Sequence, residues 1–326
     1  MFWFDRGVGM EIAPPLAASR EGTSLDGWPN YQIIVPQLLR GAVVPFLGAG
    51  ASMFHRRLLN EPTLCPPSAT ELAERFATTT RLPRDSEEYE QIRSDLPRAA
   101  SYFEHVTLDR DGLNDELKAV FDLKFEPNTL HHVLARVAAQ QNLLVITTNY
   151  DDMIERAFEL AKVPYHLVVT AIEDCQVKYQ EPGSSTLNIV DPQMLKISLR
   201  QASIIYKMHG SICRAQSQAD SQFVITEEDY VSFLGRVLVP PAISALFMTR
   251  RFLFLGYSLR DWNFRVMLSH HLQDAGRLKK SWGIQSNPNL IEKKLWEKKN
   301  VEIFDMDLLD FSRQLSDEIA PLLPAA

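Results

Sequence analysis

The chain has 326 residues, 45% of them hydrophobic, and its 34 basic and 41 acidic residues give a formal net charge of −7. This composition can fill a hydrophobic core without disulfide or metal staples. Because phosphate binding rewards a basic surface, the acidic balance argues against direct nucleic-acid binding.

The cysteines and the hydrophobic pattern indicate which cellular compartment the protein occupies and whether it forms disulfides or a zinc site. The three cysteines, Cys65, Cys175 and Cys213, form no C-x-x-C pair, so neither a disulfide framework nor a cysteine-rich zinc site is expected. The N-terminus lacks a secretory signal, and no apolar run approaches the ~20 residues that span a bilayer. We therefore expect a cytoplasmic protein with reduced thiols and no membrane contact.

Regular patterning begins about 30 residues into the chain. Residues 1–30 contain two adjacent prolines and little periodicity, which predicts an N-terminal extension that is partly ordered or forms an assembly contact. Residues 31–326 predict a single domain. Within it, a short helix from Tyr31 precedes an apolar run at 43–47 that predicts a buried strand. Residues from about 54 to 140 then predict a mostly helical module.

Strands and helices alternate in the rest of the chain. An apolar run at 143–146 predicts a second strand, and helical spacing follows through Phe158. Two polar stretches, 171–202 and 213–222, predict loops. Further strands are predicted at 167–169, 204–206, 252–255 and 301–304. This alternation is typical of an α/β protein with a mainly parallel sheet covered on both faces.

Small and polar residues cluster where four of these strands end. The clusters are Gly48-Ala49-Gly50-Ala51-Ser52, Thr147-Thr148-Asn149-Tyr150-Asp151, His209-Gly210 and Gly256-Tyr257-Ser258. Ligands of open α/β sheets bind outside the carboxyl ends of the strands, so these clusters are expected to converge on one rim.

The residue types in the clusters suggest specific chemistry, although each has a structural alternative. The glycines let backbone approach a pyrophosphate, but the third glycine of the dinucleotide fingerprint is missing, and an ordinary turn fits equally well. Asn149 can orient a water or a ribose hydroxyl and Asp151 can bind an amide, or either residue can cap the next helix. His209 is either a general base or a structural histidine.

The remaining histidine pairs predict no metal site. His131-His132 and His270-His271 lie on predicted helices, and neither pair has a third partner at ligand spacing. We interpret them as surface or core histidines.

Taken together and in order, the four clusters resemble the sirtuin family over about residues 31–310. The third and fourth resemble it in their longer forms, Lys207-Met208-His209-Gly210 and Gly256-Tyr257-Ser258-Leu259. The resemblance implies a Rossmann-like, doubly wound fold with an inserted helical module and NAD as the bound substrate.

The resemblance also implies a role for each site residue. Asn149 would orient the reacting ribose or water, Asp151 would contact the nicotinamide carboxamide, and His209 would be the general base. The pyrophosphate and its ribose would lie against Gly48, Ala49, Gly50 and Ser52, beside Thr148. The adenosine side would be lined by Gly256 and Ser258.

Two departures from deacetylating sirtuins narrow the expected activity. The chain lacks their zinc module of two C-x-x-C pairs, so no metal is expected, and Met53 to Arg57 replaces their Pro-Asp-Phe-Arg-like stretch. The segments 226–230 and 256–264 instead resemble the bacterial sirtuin-like branch of NAD-depleting anti-phage effectors. That branch implies NAD hydrolysis, a homo-oligomer and a defence partner such as an ATPase, an Argonaute-type protein or another sensor. An NAD-dependent deacylase and a non-catalytic NAD or ADP-ribose sensor are the alternatives.

Overall fold

The computed structural model describes residues 28–59, 64–121, 123, 125–171, 176–211, 223–236, 239–258 and 279–323. Several sequence-based predictions fall outside these ranges. They concern most of the N-terminal extension, the loop at 213–222, the pair His270-His271 and the segment from Leu259 to Phe264.

One sheet of nine strands forms the centre of the described chain, in the order β5-β4-β3-β6-β2-β1-β7-β8-β9. The strands are β1 (Val43–Leu47), β2 (Leu144–Thr147), β3 (Tyr165–Ala171), β4 (Gln176–Gln180), β5 (Asn188–Val190), β6 (Ser203–Lys207), β7 (Arg251–Leu255), β8 (Ser281–Gln285) and β9 (Val301–Asp305). The seven strands from β3 to β9 in this sheet order pair in parallel with their neighbours. Among the described strands, the β3–β4 and β4–β5 pairs are antiparallel. The predicted mainly parallel α/β sheet is confirmed.

Two details of the sheet differ from the sequence-based prediction. The stretch 171–202, predicted as a loop, contains β4 and β5, which extend the sheet as an antiparallel edge beside β3. These strands carry many polar residues, so pairing with β3 decides their conformation where hydrophobic pattern does not. Strand β8 was also missed. Its Ser281, Gly283 and Gln285 interrupt the apolar pattern, yet β7 and β9 pair with it on both sides.

Helices cover both faces of the sheet. In chain order they are α1 (Tyr31–Leu39), α2 (Ala49–Met53), α3 (Ala69–Thr79), α4 (Glu87–Arg93), α5 (Leu96–Thr107), α6 (Arg110–Phe121), α7 (Thr129–Ala138), α8 (Met153–Leu160), α9 (Glu227–Arg236), α10 (Pro241–Thr249), α11 (Leu290–Glu297) and α12 (Leu308–Ile319). None of these described helices is long and apolar enough to cross a bilayer.

The two faces carry separate cores because side chains alternate along each strand. In β1, Val43 and Leu47 join the core under α1, α7, α8 and α12, whereas Val44 and Phe46 join the core under α10 and α11. This two-sided burial explains why the strand is apolar throughout.

A third core belongs to the helices between β1 and β2. Helices α3 to α6 pack around residues such as Phe76, Phe103 and Leu117, and they enclose Met153, the first residue of α8. Phe223 and Ile225, from the segment that precedes α9, belong to the same core. This helical module therefore rests on the rim of the sheet where the candidate clusters end.

Candidate functional site

The four polar clusters lie side by side at one rim of the sheet. Strands β6, β2, β1 and β7 are consecutive neighbours and run in parallel, so their carboxyl ends point the same way. The predicted convergence of the clusters on one rim follows directly from this order. Helices leave β1 and β2 toward one face, and β6 connects through α9 and α10 to the other.

The loop from β1 into α2 packs directly against the loop that follows β7. The Gly48 N–H donates to Leu255 O at 3.1 Å, and the Gly50 N–H donates to Gly256 O at 2.9 Å. A Cβ atom on Gly48 would lie 2.5 Å from Tyr257 Cα, and one on Gly50 would lie 2.8 Å from Gly256 O. Both glycines are therefore required for the close approach of two backbones, whatever ligand the loop also meets.

A buried hydrogen-bond network joins the first two clusters. Asn149 Nδ2 donates to Gly48 O at 3.0 Å and to Ser52 Oγ at 3.1 Å. The Ser52 hydroxyl in turn donates to Asp151 Oδ2 at 2.9 Å. The network places Ser52 between Asn149 and Asp151 and fixes the orientation of the Asn149 amide. Within the described part of the chain, Asn149 Oδ1 is buried without a hydrogen-bond partner.

Asp151 also caps the helix that follows it. Its Oδ1 accepts a hydrogen bond from the Met153 N–H at 3.1 Å, at the start of α8. Burial raises the pKa of Asp151, and the nearby charge of Lys207 and the bonds from Met153 and Ser52 oppose that rise. Asp151 therefore stabilises the start of α8, which is one of the two roles that the sequence allowed for it.

His209 lies two residues beyond β6 and is held among aromatic rings. Its ring forms T-shaped pairs with the ring of Tyr230, at a centroid distance of 5.4 Å, and with the ring of Phe233, at 5.6 Å. The His209 carbonyl accepts from the Val224 N–H, which ties the strand end to the segment before α9. The imidazole is buried yet lines a pocket.

That pocket collects the predicted catalytic residues in one place. Its cavity volume is about 140 Å³. Its lining includes Ala49, Thr148, Asn149, Asp151 and His209, which follow β1, β2 and β6 at the rim of the sheet. We refer to it as the histidine pocket.

A second pocket lies on the other side of the β1–α2 loop, at the ends of β7, β8 and β9. Its cavity volume is about 530 Å³, and it is lined by residues including Gly50, Gly256, Tyr257, Ser258, Gln285 and Asp307. Ala49 lines the histidine pocket and Gly50 lines this one, so the glycine loop separates the two. An elongated ligand lying across the loop would reach both pockets.

Sequence reasoning missed the outer wall of the histidine pocket. The missed residues come from the helical module and from α9: Pro66, Pro67, Ser68, Ala69, Leu72, Leu96, Phe121 and Tyr230. Most are apolar residues on helices, and nothing in their spacing distinguishes a pocket wall from a core. Only Tyr230 carried a signal, because the segment 226–230 had been singled out by its resemblance.

His131 is a core residue, as one of the two interpretations had it. It is buried, and its Nδ1 accepts from the Asn128 N–H in a reciprocal cap at the start of α7. His132 is exposed. Within the described ranges, no group of three or more His, Cys, Asp or Glu side chains is arranged to hold a metal ion.

Comparison with known proteins places this geometry in a family. Residues 143–304, which carry Asn149, Asp151, His209 and Gly256, match the SIR2-like domain family. The resemblance to sirtuins that the ordered clusters predicted is thereby confirmed.

The curated relatives to which the chain is similar include bacterial enzymes. It is 28% identical over 233 residues to the NAD(+) hydrolase ThsA of Enterococcus faecium, covering 71% of this chain and 40% of the relative. It is 27% identical over 182 residues to the NAD(+) hydrolase ThsA of Acinetobacter baumannii, covering 54% and 31%. Defense-associated sirtuin 2 of Bacillus subtilis is 24% identical over 195 residues, covering 58% and 17%. The chain thus spans less than half the length of each of these relatives.

Solved structures similar to the chain include a Sir2 homologue in complex with NAD, at 12% identity and a TM-score of 0.43. That match covers 92% of this chain and 97% of the other. Sir2Tm bound to a propionylated peptide matches at 14% identity and a TM-score of 0.42, covering 90% and 99%.

Proposed function

We propose that the chain hydrolyses NAD at its nicotinamide–ribose bond, giving nicotinamide and ADP-ribose. The observation that carries the proposal is the arrangement of Asn149 and His209 in one pocket, with a second pocket across the glycine loop. A dinucleotide needs two binding regions joined by a pyrophosphate, and a glycine loop between strand and helix suits the pyrophosphate. The curated NAD(+) hydrolases similar to this chain support the same reaction.

In this proposal the histidine pocket holds the reacting end of NAD. Breaking the N-glycosidic bond leaves positive charge on the ribose carbon that carried nicotinamide. Water adds to this carbon as nicotinamide departs. Asn149 orients the water or the ribose, with its amide already fixed by Gly48 and Ser52. Asp151 contacts the nicotinamide carboxamide. His209 takes the proton from the water or from a ribose hydroxyl, a role usually worth 10²–10⁴-fold in rate.

The remaining predicted residues hold the rest of the dinucleotide. Gly48, Ala49, Gly50 and Thr148 present backbone to the pyrophosphate and its ribose. Ser52 lies below the loop and supports the ligand site through its hydrogen bonds to Asn149 and Asp151. Gly256 and Ser258 line the adenosine side in the second pocket. No metal takes part in this scheme.

We further propose that the enzyme is an NAD-depleting effector in bacterial anti-phage defence. Such an enzyme would harm its own cell unless it were restrained. We therefore expect low activity until homo-oligomerisation, a small signal or a defence partner activates it.

The proposal is tested by measuring nicotinamide release from NAD, without any peptide, by the purified chain and by two variants. Asn149→Ala and His209→Ala should each lower turnover by about 10²-fold or more, because each removes a group that acts on the reacting atoms. His132→Ala is the matched control, since His132 is an exposed histidine outside both pockets.

Each other outcome points to a different activity. Wild-type turnover in both site variants would refute the site assignment. Release that requires an acyl-lysine peptide would show a deacylase. Binding of NAD or ADP-ribose without turnover, even after candidate activators are added, would show a sensor.

A further inference from the structure

A fully buried ion pair lies directly beneath the loop that carries Asn149 and Asp151. Lys207 Nζ is 2.9 Å from Glu155 Oε1, and both side chains are 0% exposed. Lys207 is the last residue of β6, two residues before His209, and Glu155 lies in the first turn of α8. The pair therefore connects the strand that leads to His209 with the helix that Asp151 caps.

The lysine ammonium also binds the backbone of the loop itself. It donates to the Tyr150 carbonyl at 3.4 Å and to the Asp151 carbonyl. These carbonyls belong to the two residues that directly follow Asn149. One buried charge thus holds loop backbone on one side and a carboxylate on the other.

The stability of the fold alone does not explain why this ion pair is buried. A buried ion pair seldom stabilises a fold more than well-packed apolar residues of the same volume, because both charges lose their hydration. Moreover, Glu155 Oε2 is buried and makes no hydrogen bond within the part of the chain that the structure describes. What the pair does achieve is a fixed position for the backbone at 150 and 151.

We propose that Lys207 and Glu155 are positioning residues for the reaction in the histidine pocket, holding the Tyr150–Asp151 backbone so that Asn149 and Asp151 keep their places beside His209. This inference rests on the proposed NAD hydrolysis and adds to it two residues outside the pocket lining. The charge of Lys207 also opposes the rise that burial causes in the pKa of Asp151.

The test replaces both charges with apolar residues of similar size, Lys207→Met with Glu155→Leu. This double variant keeps the volume of the pair and removes both of its charges together, so we expect it to fold. Its kcat for nicotinamide release should fall about tenfold or more, because small displacements of reacting groups are costly. Its Kd for ADP-ribose should change less than threefold, because our proposal places the adenosine side of this ligand in the second pocket.

Amide hydrogen exchange of the segment 147–153 supplies a readout that needs no turnover. In the double variant this segment should exchange at least tenfold faster than in the wild type. The matched control is Lys294→Gln with Glu297→Gln, which removes an exposed ion pair on α11. The control should leave exchange in 147–153 and kcat unchanged.

Unchanged exchange in 147–153, or a kcat within twofold of the wild type in a folded double variant, would overturn the proposal. If the Met and Leu variant does not fold, Lys207→Gln with Glu155→Gln takes its place. Its amides can bond to each other but provide fewer donors for the carbonyls. If the wild type releases no nicotinamide even after candidate activators are added, NAD hydrolysis fails as the function. The exchange of 147–153 alone then decides whether the pair holds the loop.

Discussion

Single residues at the rim serve two purposes at once. Asp151 caps α8 with one carboxylate oxygen and accepts the Ser52 hydroxyl with the other. Asn149 uses its amide N–H groups within the protein and leaves its Oδ1 without a partner in the described chain. A sequence can suggest either role for such residues, but only the three-dimensional arrangement shows how the roles are divided between atoms.

Gly256 gives a sharp prediction at the residue scale. Its φ of +62° disfavours any side chain, and an added Cβ would lie only 2.0 Å from the Ala51 backbone nitrogen. The left-handed conformation alone costs roughly 1–2 kcal/mol for a non-glycine residue. Because the β1–α2 loop must also move, we expect Gly256→Ala to lower the free energy of unfolding by about 3 kcal/mol or more.

Gly183 is a matched control for this substitution. Its φ is +80°, and an added Cβ meets nothing within 4 Å. Gly183→Ala should therefore show the conformational cost without the clash. Chemical denaturation of both variants separates the two effects, and equal losses would show that the loop tolerates a methyl group at Gly256.

At the scale of elements, most of the architecture followed from the sequence. Strands β1, β2, β3, β6, β7 and β9 were predicted from short apolar runs, because buried parallel strands are mainly apolar. The edge strands β4 and β5 and the interrupted strand β8 were missed because neighbouring strands, not their own pattern, determine them. For the site, the rim residues were predicted, whereas the outer wall of the histidine pocket comes from helix faces whose packing no local pattern reveals.

Helix α3 begins at the histidine pocket, and the carboxylate of Glu71 stabilises its first turn. Glu71 accepts from the Ser68 N–H at 2.8 Å in a capping box, and Arg56 Nη1 lies 2.5 Å from its carboxylate. The hydrogen bond from Arg56, supported by those with Ser68, lowers the pKa of Glu71 to about 2. A lowered folded-state pKa means that this stabilisation is present above the ordinary value of 4.5 and is lost as pH falls toward 2.

Glu71→Gln tests this assignment while keeping the capping box, which accepts glutamine at the same position. The side chains of Arg56 and Glu71 are 28% and 41% exposed, so solvent screens the pair. We therefore expect a loss of about 1 kcal/mol or less at pH 7, or roughly 2 °C in Tm. Thermal unfolding from pH 7 to pH 2 should show the difference between variant and wild type shrinking below pH 4.5.

The control for this series is Glu74→Gln on the same helix, whose carboxylate pairs with Arg93 at 3.2 Å on an exposed surface. We expect it to change Tm less than Glu71→Gln at pH 7. A Glu71→Gln difference that stays constant down to pH 2 would mean that the glutamate charge is not what stabilises the helix start.

At the scale of the whole molecule, the pocket forms where the helical module meets the sheet. Arg110, at the start of α6, donates to Phe223 O at 3.0 Å and to Asp229 Oδ2 at 3.1 Å. Asp229 also accepts the backbone N–H groups of Ile225 and Thr226. This contact helps to fix the segment that brings Tyr230 against His209, so Arg110 links the helical module to that histidine.

Arg110→Ala should therefore weaken the joint between module and sheet. The Arg110 and Asp229 side chains are only 29% and 16% exposed, and hydrogen bonds to charged groups contribute about 1.5–3 kcal/mol. We expect a loss in this range in urea unfolding and faster amide exchange across 223–230. Arg75→Ala, which removes the more exposed pair with Glu116 inside the module, is the matched control. If both variants exchange equally across 223–230, Arg110 does not hold this segment, and the apolar contacts of Phe223 and Ile225 in the core of the module are its anchors.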